Sequence, residues 1–135
     1  MPLINLKIVK EQVNPDQKKK LINGLMDIVV NIMHRDKNFT VIIVDEIDAS
    51  NWFIGGRPLN GNDTKHGKVA SINIKISKGT SYPDEMEKVI VAGKMLVSEV
   101  LGQNEVTNYF VIEELNPDGW GFDGSTMTMK NQKES

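Results

Sequence analysis

The sequence predicts an α+β fold in which two pseudo-repeated β-α-β units form a four-stranded sheet with both helices on one face. Two observations predict this architecture. The chain matches itself at a constant offset, and each matching half has the pattern of a strand, a helix and a second strand. A strand, a helix and a parallel strand form a right-handed crossover, so two such units supply four strands and two helices.

The internal repeat begins at the first strand. Ile4–Ile8 reads INLKI and Ile72–Ile76 reads INIKI, an offset of 68 positions because 73 minus 5 is 68. The same offset, without a gap, pairs Pro15 with Pro83, Asp16 with Asp84, Lys20 with Lys88, Glu46 with Glu114, Trp52 with Trp120 and Gly56 with Gly124. Matches in a single register over this length, with tryptophan among them, indicate a duplicated unit.

The elements of the first unit follow from its residue pattern. Leu3–Val9 alternates apolar and polar residues as a half-buried strand does, and Asn14-Pro15 marks a helix start. Apolar residues then recur at helical spacing, namely Leu21, Ile22, Leu25, Ile28, Val29, Ile32 and Met33. Phe39–Val44 is β-branched and apolar, which predicts a buried strand, and Gly55-Gly56 predicts a hairpin.

The second unit repeats this order. Val69–Ile76 is its first strand, Ser81–Asp84 marks its helix start, and Tyr109–Ile112 is its second strand. We therefore read one domain, divided into a first unit at 2–58, a polar linker at 59–68, a second unit at 69–126 and a tail at 127–135. The tail is expected to be disordered from Lys130 onward.

The composition limits the possible functions. The chain has 135 residues, no cysteine and a formal net charge of -2. These values give no reason to expect a nucleic-acid or membrane partner, and they exclude disulfides and thiolate chemistry. We find no apolar run long enough for a membrane span, no signal peptide and no metal-ligand spacing, so we expect a cytoplasmic protein without a cofactor. The sheet face away from the helices carries polar side chains, which indicates that it is solvated or contacts another subunit. These residues are Asn5, Lys7, Asn73 and Lys75.

The chain resembles the tautomerase superfamily. The resemblance rests on Met1-Pro2 directly before an apolar strand, on the helix start at Asp16, on Val41-Ile42-Ile43 and on Phe53–Gly56. It extends through the second unit to about Thr126, as in the duplicated, fused members of the superfamily. The resemblance implies the tautomerase fold, a homotrimer and an N-terminal proline that acts as the catalytic base.

Amine chemistry supports a catalytic role for Pro2 independently of the resemblance. Methionine before a small residue is normally removed, which would leave the secondary amine of Pro2 at the terminus. An α-amino group has a pKa near ~8, and burial or a nearby cation lowers this pKa. A neutral amine can then take a proton from carbon beside a carbonyl and return it elsewhere. Ala70, the repeat mate of Pro2, is internal and has no free amine, so one site per chain is expected.

The residues that bind the substrate are less well defined by the sequence. The superfamily uses two arginines to bind carboxylates, and both expected positions lack arginine here. The resemblance implies several substitutes: Lys75, Lys78 and His66 as cations, Trp52 in place of a pocket phenylalanine, and Asn108 with Tyr109 as pocket residues. Arg35 follows the first helix, where a cation suits the helix dipole, so we expect a structural role for it.

The leading functional hypothesis is a keto–enol tautomerase that acts on a small 2-oxo or 2-hydroxy acid. Two alternatives share the scaffold: a decarboxylase, with Asp36 as a candidate carboxylate, and a hydratase or dehalogenase of a three-carbon acid, with Asp123. Both aspartates also fit ordinary loop positions. A third alternative is an oligomeric binding protein without catalytic activity.

Overall fold

The computed structural model describes residues 1–59, 67–102 and 106–134. Along the chain these form β1 (Leu3–Val9), α1 (Pro15–Asn31), β2 (Val41–Ile47), β3 (Phe53–Ile54), β4 (Arg57–Pro58), β5 (Ala70–Ser77), α2 (Pro83–Leu101), β6 (Phe110–Leu115), β7 (Gly121–Phe122), β8 (Ser125–Thr126) and α3 (Met127–Glu134).

The main sheet confirms the predicted fold. Its four strands lie in the order β2-β1-β5-β6. Each unit contributes a parallel pair, β1 with β2 and β5 with β6, and the two units meet where β1 and β5 run antiparallel at the centre. Because β1 and β5 run in opposite directions, the start of β1 lies at the same edge of the sheet as the end of β5.

The core lies between the sheet and both helices. Alternate residues of the two central strands are buried on one face, namely Ile4, Leu6 and Ile8 on β1 and Ile72, Ile74 and Ile76 on β5. They pack against Leu21, Leu25 and Val29 of α1 and Val89 and Val97 of α2. Gly93 lets α2 approach β6 closely, since a Cβ atom at this position would collide with the ring of Phe110. Burial of these side chains is the main term that stabilises the fold.

The two long helices begin differently. Asn14 caps α1: its side-chain oxygen accepts a hydrogen bond from the Gln17 backbone N–H at 2.8 Å, and the Gln17 side chain accepts one from the Asn14 N–H at 3.0 Å. This reciprocal arrangement is a capping box. Tyr82 occupies the equivalent position before α2 and makes no side-chain cap. Proline follows the cap residue in both helices.

The other face of the sheet is polar on the two central strands and apolar on the two outer strands. Asp45 accepts hydrogen bonds from Asn5 at 2.9 Å and from Lys7 at 3.0 Å. Ile43 on β2 and Val111 on β6 are exposed on this face within a single chain. An open sheet face with exposed apolar edges is suited to contact with another subunit.

The ends of the units differ in part from expectation. The Gly55-Gly56 turn joins β3 and β4 as predicted, and β7 and β8 form the matching hairpin in the second unit. The expectation of disorder from Lys130 onward is wrong as far as residue 134, because Met127–Glu134 forms α3. Residues 60–66 of the expected linker lie outside the described residues. None of the helices in the described ranges is long and apolar enough to span a membrane.

Candidate active site

Pro2 lies at the start of β1 and is almost completely buried. Its carbonyl oxygen accepts a hydrogen bond from the Val41 N–H at 3.2 Å, which ties the amino terminus to the start of β2. Met1 is attached in this structure, so the Pro2 nitrogen is an amide here. Met1 lines the same pocket as Pro2, and its removal would therefore open space at the Pro2 nitrogen.

The pocket at Pro2 has a volume of about 330 Å³ and is built by both units. The first unit contributes residues around β1 and the start of β2, and the second unit contributes its terminal hairpin. The lining comprises Met1, Pro2, Leu3, Asn38, Phe39, Val41, Trp120, Gly121, Phe122 and Met127. The rings of Phe39 and Phe122 lie 5.9 Å apart between centroids, and Lys130 Nζ lies 3.8 Å from the centre of the Phe122 ring. The pocket is thus mainly apolar and partly aromatic.

Arg35 brings a positive charge to this edge of the sheet. One guanidinium nitrogen, Nη2, donates to the Thr80 carbonyl at 3.1 Å, to the Thr80 hydroxyl at 3.0 Å and to the Ser81 hydroxyl at 3.0 Å. The Nε–H of Arg35 is buried and has no partner among the residues that the structure describes. Burial lowers the pKa of the guanidinium, an effect that Glu85 opposes. Arginine nevertheless stays charged in proteins at neutral pH.

The charge of Arg35 acts on the amino terminus. Burial lowers the pKa of the Met1 α-amino group below its ordinary value of 8.0, and the nearby Arg35 charge lowers it further. Both effects disfavour the ammonium form. After loss of Met1, the amine of Pro2 would stand one residue further along in the same surroundings. These surroundings therefore favour a neutral amine, which is the form that can accept a proton.

Arg35 was not predicted as a site residue, because its position after the first helix indicated only a structural role. The predicted topology contained the missing signal. In a β-α-β unit the helix runs antiparallel to its strands, so the end of the helix returns to the edge where the strands begin. Arg35 follows α1, and Pro2 precedes β1, so both belong to this edge.

The two candidate lysines of the second unit lie at the same edge. Lys75 is directly opposite Leu3 across the β1–β5 pair, and its Nζ donates to the Asn73 side chain at 3.1 Å. It makes no ion pair with any described residue, whereas its repeat mate Lys7 is paired with Asp45 at 3.0 Å. Lys78 follows β5 and is exposed. Lys75 is therefore the better placed of the two to attract an anion near Pro2.

Three other predicted residues lie apart from Pro2 within one chain: Trp52, Asn108 and Tyr109. Trp52 and Tyr109 line a different pocket, at the far end of β5. Asn108 donates from its side chain to the Lys68 carbonyl at 3.1 Å and holds the start of the second unit. His66 lies outside the described residues. The structure thus brings Pro2, Lys75 and Lys78 to one edge of the sheet and leaves Trp52, Asn108 and Tyr109 at the opposite edge.

The two aspartates considered for other reactions serve local structure. Asp36 accepts a hydrogen bond from the Asn38 N–H at 2.9 Å and caps a short 3-10 turn. Asp123 has a φ of +52° in the turn between β7 and β8, a conformation that aspartate tolerates better than most residues. In the described parts of the chain, no group of three or more histidine, aspartate or glutamate side chains could hold a metal ion.

The fold and the pocket define a duplicated β-α-β protein with a buried proline next to its amino terminus. The family model described as "Tautomerase enzyme" matches residues 2–61, the first unit. A curated relative, a "Probable tautomerase K2" from Dickeya dadantii, is 41% identical over 56 residues, which are 42% of this chain and 84% of that protein. The chain belongs to the tautomerase family.

Solved structures extend the likeness to the second unit. A native fused 4-OT matches 96% of this chain and 98% of its own chain with a TM-score of 0.84 and 16% sequence identity. A second fused 4-OT, described as a symmetric trimer, matches 93% of this chain and 96% of its own with a TM-score of 0.79 and 20% identity. At these identities the likeness concerns the fold. The chain is an enzyme of the tautomerase superfamily with the fused architecture.

Proposed function

We propose that the protein is a keto–enol tautomerase for a small 2-oxo or 2-hydroxy acid, with the amine of Pro2 as general base once Met1 has been removed. The observation that carries this proposal is the position of Pro2 in an apolar pocket beside Arg35. Burial and a neighbouring cation both favour the neutral amine, and a general base must be neutral to accept a proton near pH 7.

The proposed reaction needs a base, a cation and a pocket that admits little water. The neutral amine takes a proton from the carbon beside the carbonyl, which gives the enol or enolate, and the protonated amine returns the proton at carbon or oxygen. The buried, unpartnered Nε–H of Arg35 would donate a hydrogen bond to a carboxylate oxygen of the substrate. Lys75 supplies a second positive charge at this edge. Together they stand in for the two arginines that the family pattern has and this chain lacks.

The proposal includes a homotrimer. Exposed Ile43 and Val111 on the open sheet face and the likeness to a trimeric fused 4-OT support it. Trp52, Asn108 and Tyr109 lie far from Pro2 in their own chain, so they would take part in catalysis only at the Pro2 of a neighbouring subunit.

Decarboxylation and hydration have weaker support. A decarboxylase could use the same amine to form an iminium with a carbonyl substrate. The carboxylates considered for these reactions, those of Asp36 and Asp123, occupy a cap and a turn. No specific contact in the described residues favours either reaction over tautomerisation.

Two forms of one sequence test the proposal. Protein shown by mass spectrometry to lack Met1 should convert phenylenolpyruvate or 2-hydroxymuconate. Protein that retains Met1, prepared with the cellular methionine aminopeptidase inhibited, should be slower by about 100-fold or more, because an amide nitrogen cannot act as a base.

The matched variant is Pro2→Ala, which removes the ring that fixes the amine. We expect the Met1-free variant to lose about 100-fold in kcat/KM. Equal rates in the two forms of the wild type would falsify the amine-base mechanism. Equal rates in the wild type and Met1-free Pro2→Ala, which keeps a primary amine, would show that the proline ring is not needed. Circular dichroism of each protein checks that the fold is retained.

A further inference from the structure

The duplicated fold contains a second pocket at the opposite edge of the sheet. Its volume is about 300 Å³, close to the 330 Å³ of the Pro2 pocket. Six of its lining residues are repeat mates of residues that line the Pro2 pocket at the offset of 68: Trp52 of Trp120, Phe53 of Gly121, Ile54 of Phe122, Ser71 of Leu3, Thr107 of Phe39 and Tyr109 of Val41. The second pocket is therefore the counterpart of the first.

The second pocket lacks the chemistry of the first. Ala70 stands where the first unit has Pro2, and its nitrogen lies in the middle of the chain. Lys7 lies directly opposite Ser71, as Lys75 lies opposite Leu3, but Asp45 neutralises the Lys7 charge through an ion pair at 3.0 Å. The described residues that line the second pocket thus offer neither a basic amine nor an unpaired cation to an anionic substrate.

The second pocket is as aromatic as the first, but it also carries hydroxyl groups, which the lining of the Pro2 pocket does not have. Phe53 and Tyr109 are exposed, and Trp52 forms a third aromatic wall. Ser71, Thr107 and Tyr109 each carry a hydroxyl, and no described residue hydrogen-bonds these side chains. Aromatic walls favour a flat aromatic ligand, while free hydroxyls favour a ligand that can donate or accept a hydrogen bond. The absence of an unpaired charge favours a neutral ligand.

We propose that the second pocket is a non-catalytic binding site for an uncharged aromatic compound that carries a hydroxyl group. Its ring would pack against the exposed ring of Phe53, and its hydroxyl would bond the Ser71 side chain. Phenol is the simplest probe of this class. The proposal does not depend on the reaction at Pro2, since no residue of the second pocket lines the Pro2 pocket of the same chain.

Fluorescence of Trp52 provides the test. The chain has two tryptophans, so the Trp120→Phe variant leaves Trp52 as the only one. We expect phenol to change the Trp52 emission along a saturable curve, and cyclohexanol, which lacks the aromatic ring, to bind at least about fivefold more weakly. Phe53→Ala in the same background should raise the apparent Kd for phenol by about tenfold.

The matched control lies in the other pocket. Phe39 lines the Pro2 pocket and is 50% exposed, close to the 59% of Phe53. Phe39→Ala therefore removes a similarly exposed ring from the Pro2 pocket and leaves the second pocket intact. It should leave the Kd unchanged. A linear, non-saturable response, or an equal effect of both substitutions, would overturn the proposal.

Amide NMR on the unaltered protein keeps the test decisive if Trp120→Phe fails to fold. Phenol should then shift the amides of Ser71 and Thr107. Shifts confined to Leu3 and Phe39 would place phenol in the Pro2 pocket and contradict the proposal. Turnover at Pro2 can be measured separately, so failure of one proposal is distinguishable from failure of the other.

Discussion

Arg35 affects the amino terminus through its charge, while its side chain donates hydrogen bonds to the loop after β5. Its Nη2 donates to Thr80 and Ser81, which fixes the guanidinium at the edge of the sheet where β1 begins. A positive charge held there disfavours a second positive charge on the terminal amine. One arginine could therefore serve both the fold, by holding the loop, and the chemistry, by keeping the amine neutral.

This role predicts a change in the pH dependence of Arg35→Gln. Burial and, second to it, the Arg35 charge lower the pKa of the Met1 α-amino group. We expect the charge to act in the same direction on the Pro2 amine once Met1 is removed, so Arg35→Gln should raise the pKa of that amine. At a given pH less amine is then neutral, and the lower limb of the kcat/KM profile should move to higher pH. Substrate KM should also rise, because a cation for the carboxylate is lost.

Arg35→Lys is the control for this experiment, since it retains the charge but loses the planar fork of donors. It should keep the lower limb close to that of the wild type. A lower limb that does not move in Arg35→Gln, in a protein that turns over substrate and is folded by circular dichroism, would contradict the assigned role of the charge.

At the scale of single elements, the two helix starts provide an internal comparison. Asn14 and Tyr82 are repeat mates, but only Asn14 forms a side-chain cap. We expect Asn14→Ala to lower the free energy of unfolding by about 1 kcal/mol, because the Gln17 N–H loses its partner. Tyr82→Ala should change it by less than about 0.5 kcal/mol, since Tyr82 is exposed and makes no cap. Urea denaturation measures both, and equal losses would argue against the capping box as the cause.

The elements were largely predictable from the sequence, while the site was predictable only in part. Strand alternation and cap residues are local signals, and the repeat shows them twice at a constant offset. Together they predicted the sheet and both long helices. The position of Pro2 before the first strand and the family resemblance predicted it as the catalytic base, and this role stays a prediction. The pairing of Phe39 with Phe122 was not predicted, because these rings meet only when the hairpin of one unit folds over the strand start of the other. The tail helix was missed because Met127–Glu134 is mostly polar and has no strong helical pattern.

On the scale of the whole molecule, duplication has produced two pockets with different chemistry. The chain preserves the positions of both pockets, but a free terminal amine can exist in only one of them. Lys75 makes no described ion pair, whereas Lys7 is neutralised by Asp45. The same scaffold would therefore separate the proposed proton-transferring site at Pro2 from a pocket whose lysine is neutralised. This asymmetry requires no change of fold, only different residues at repeat-related positions.

The proposed trimer makes a prediction about the open face of the sheet. Ile43 is 51% exposed on this face in a single chain, and Val91 is 53% exposed on the outer side of α2. In a trimer that covers the sheet face, Ile43→Glu would bury an unpaired carboxylate, which is unfavourable, whereas Val91→Glu would remain in water. Sedimentation velocity should therefore show a trimer for the wild type and Val91→Glu, and smaller species for Ile43→Glu. If neighbouring subunits complete the Pro2 pocket, turnover should fall with trimer content. A trimeric Ile43→Glu protein with normal turnover, or a monomeric wild type, would show that this face is not the subunit interface.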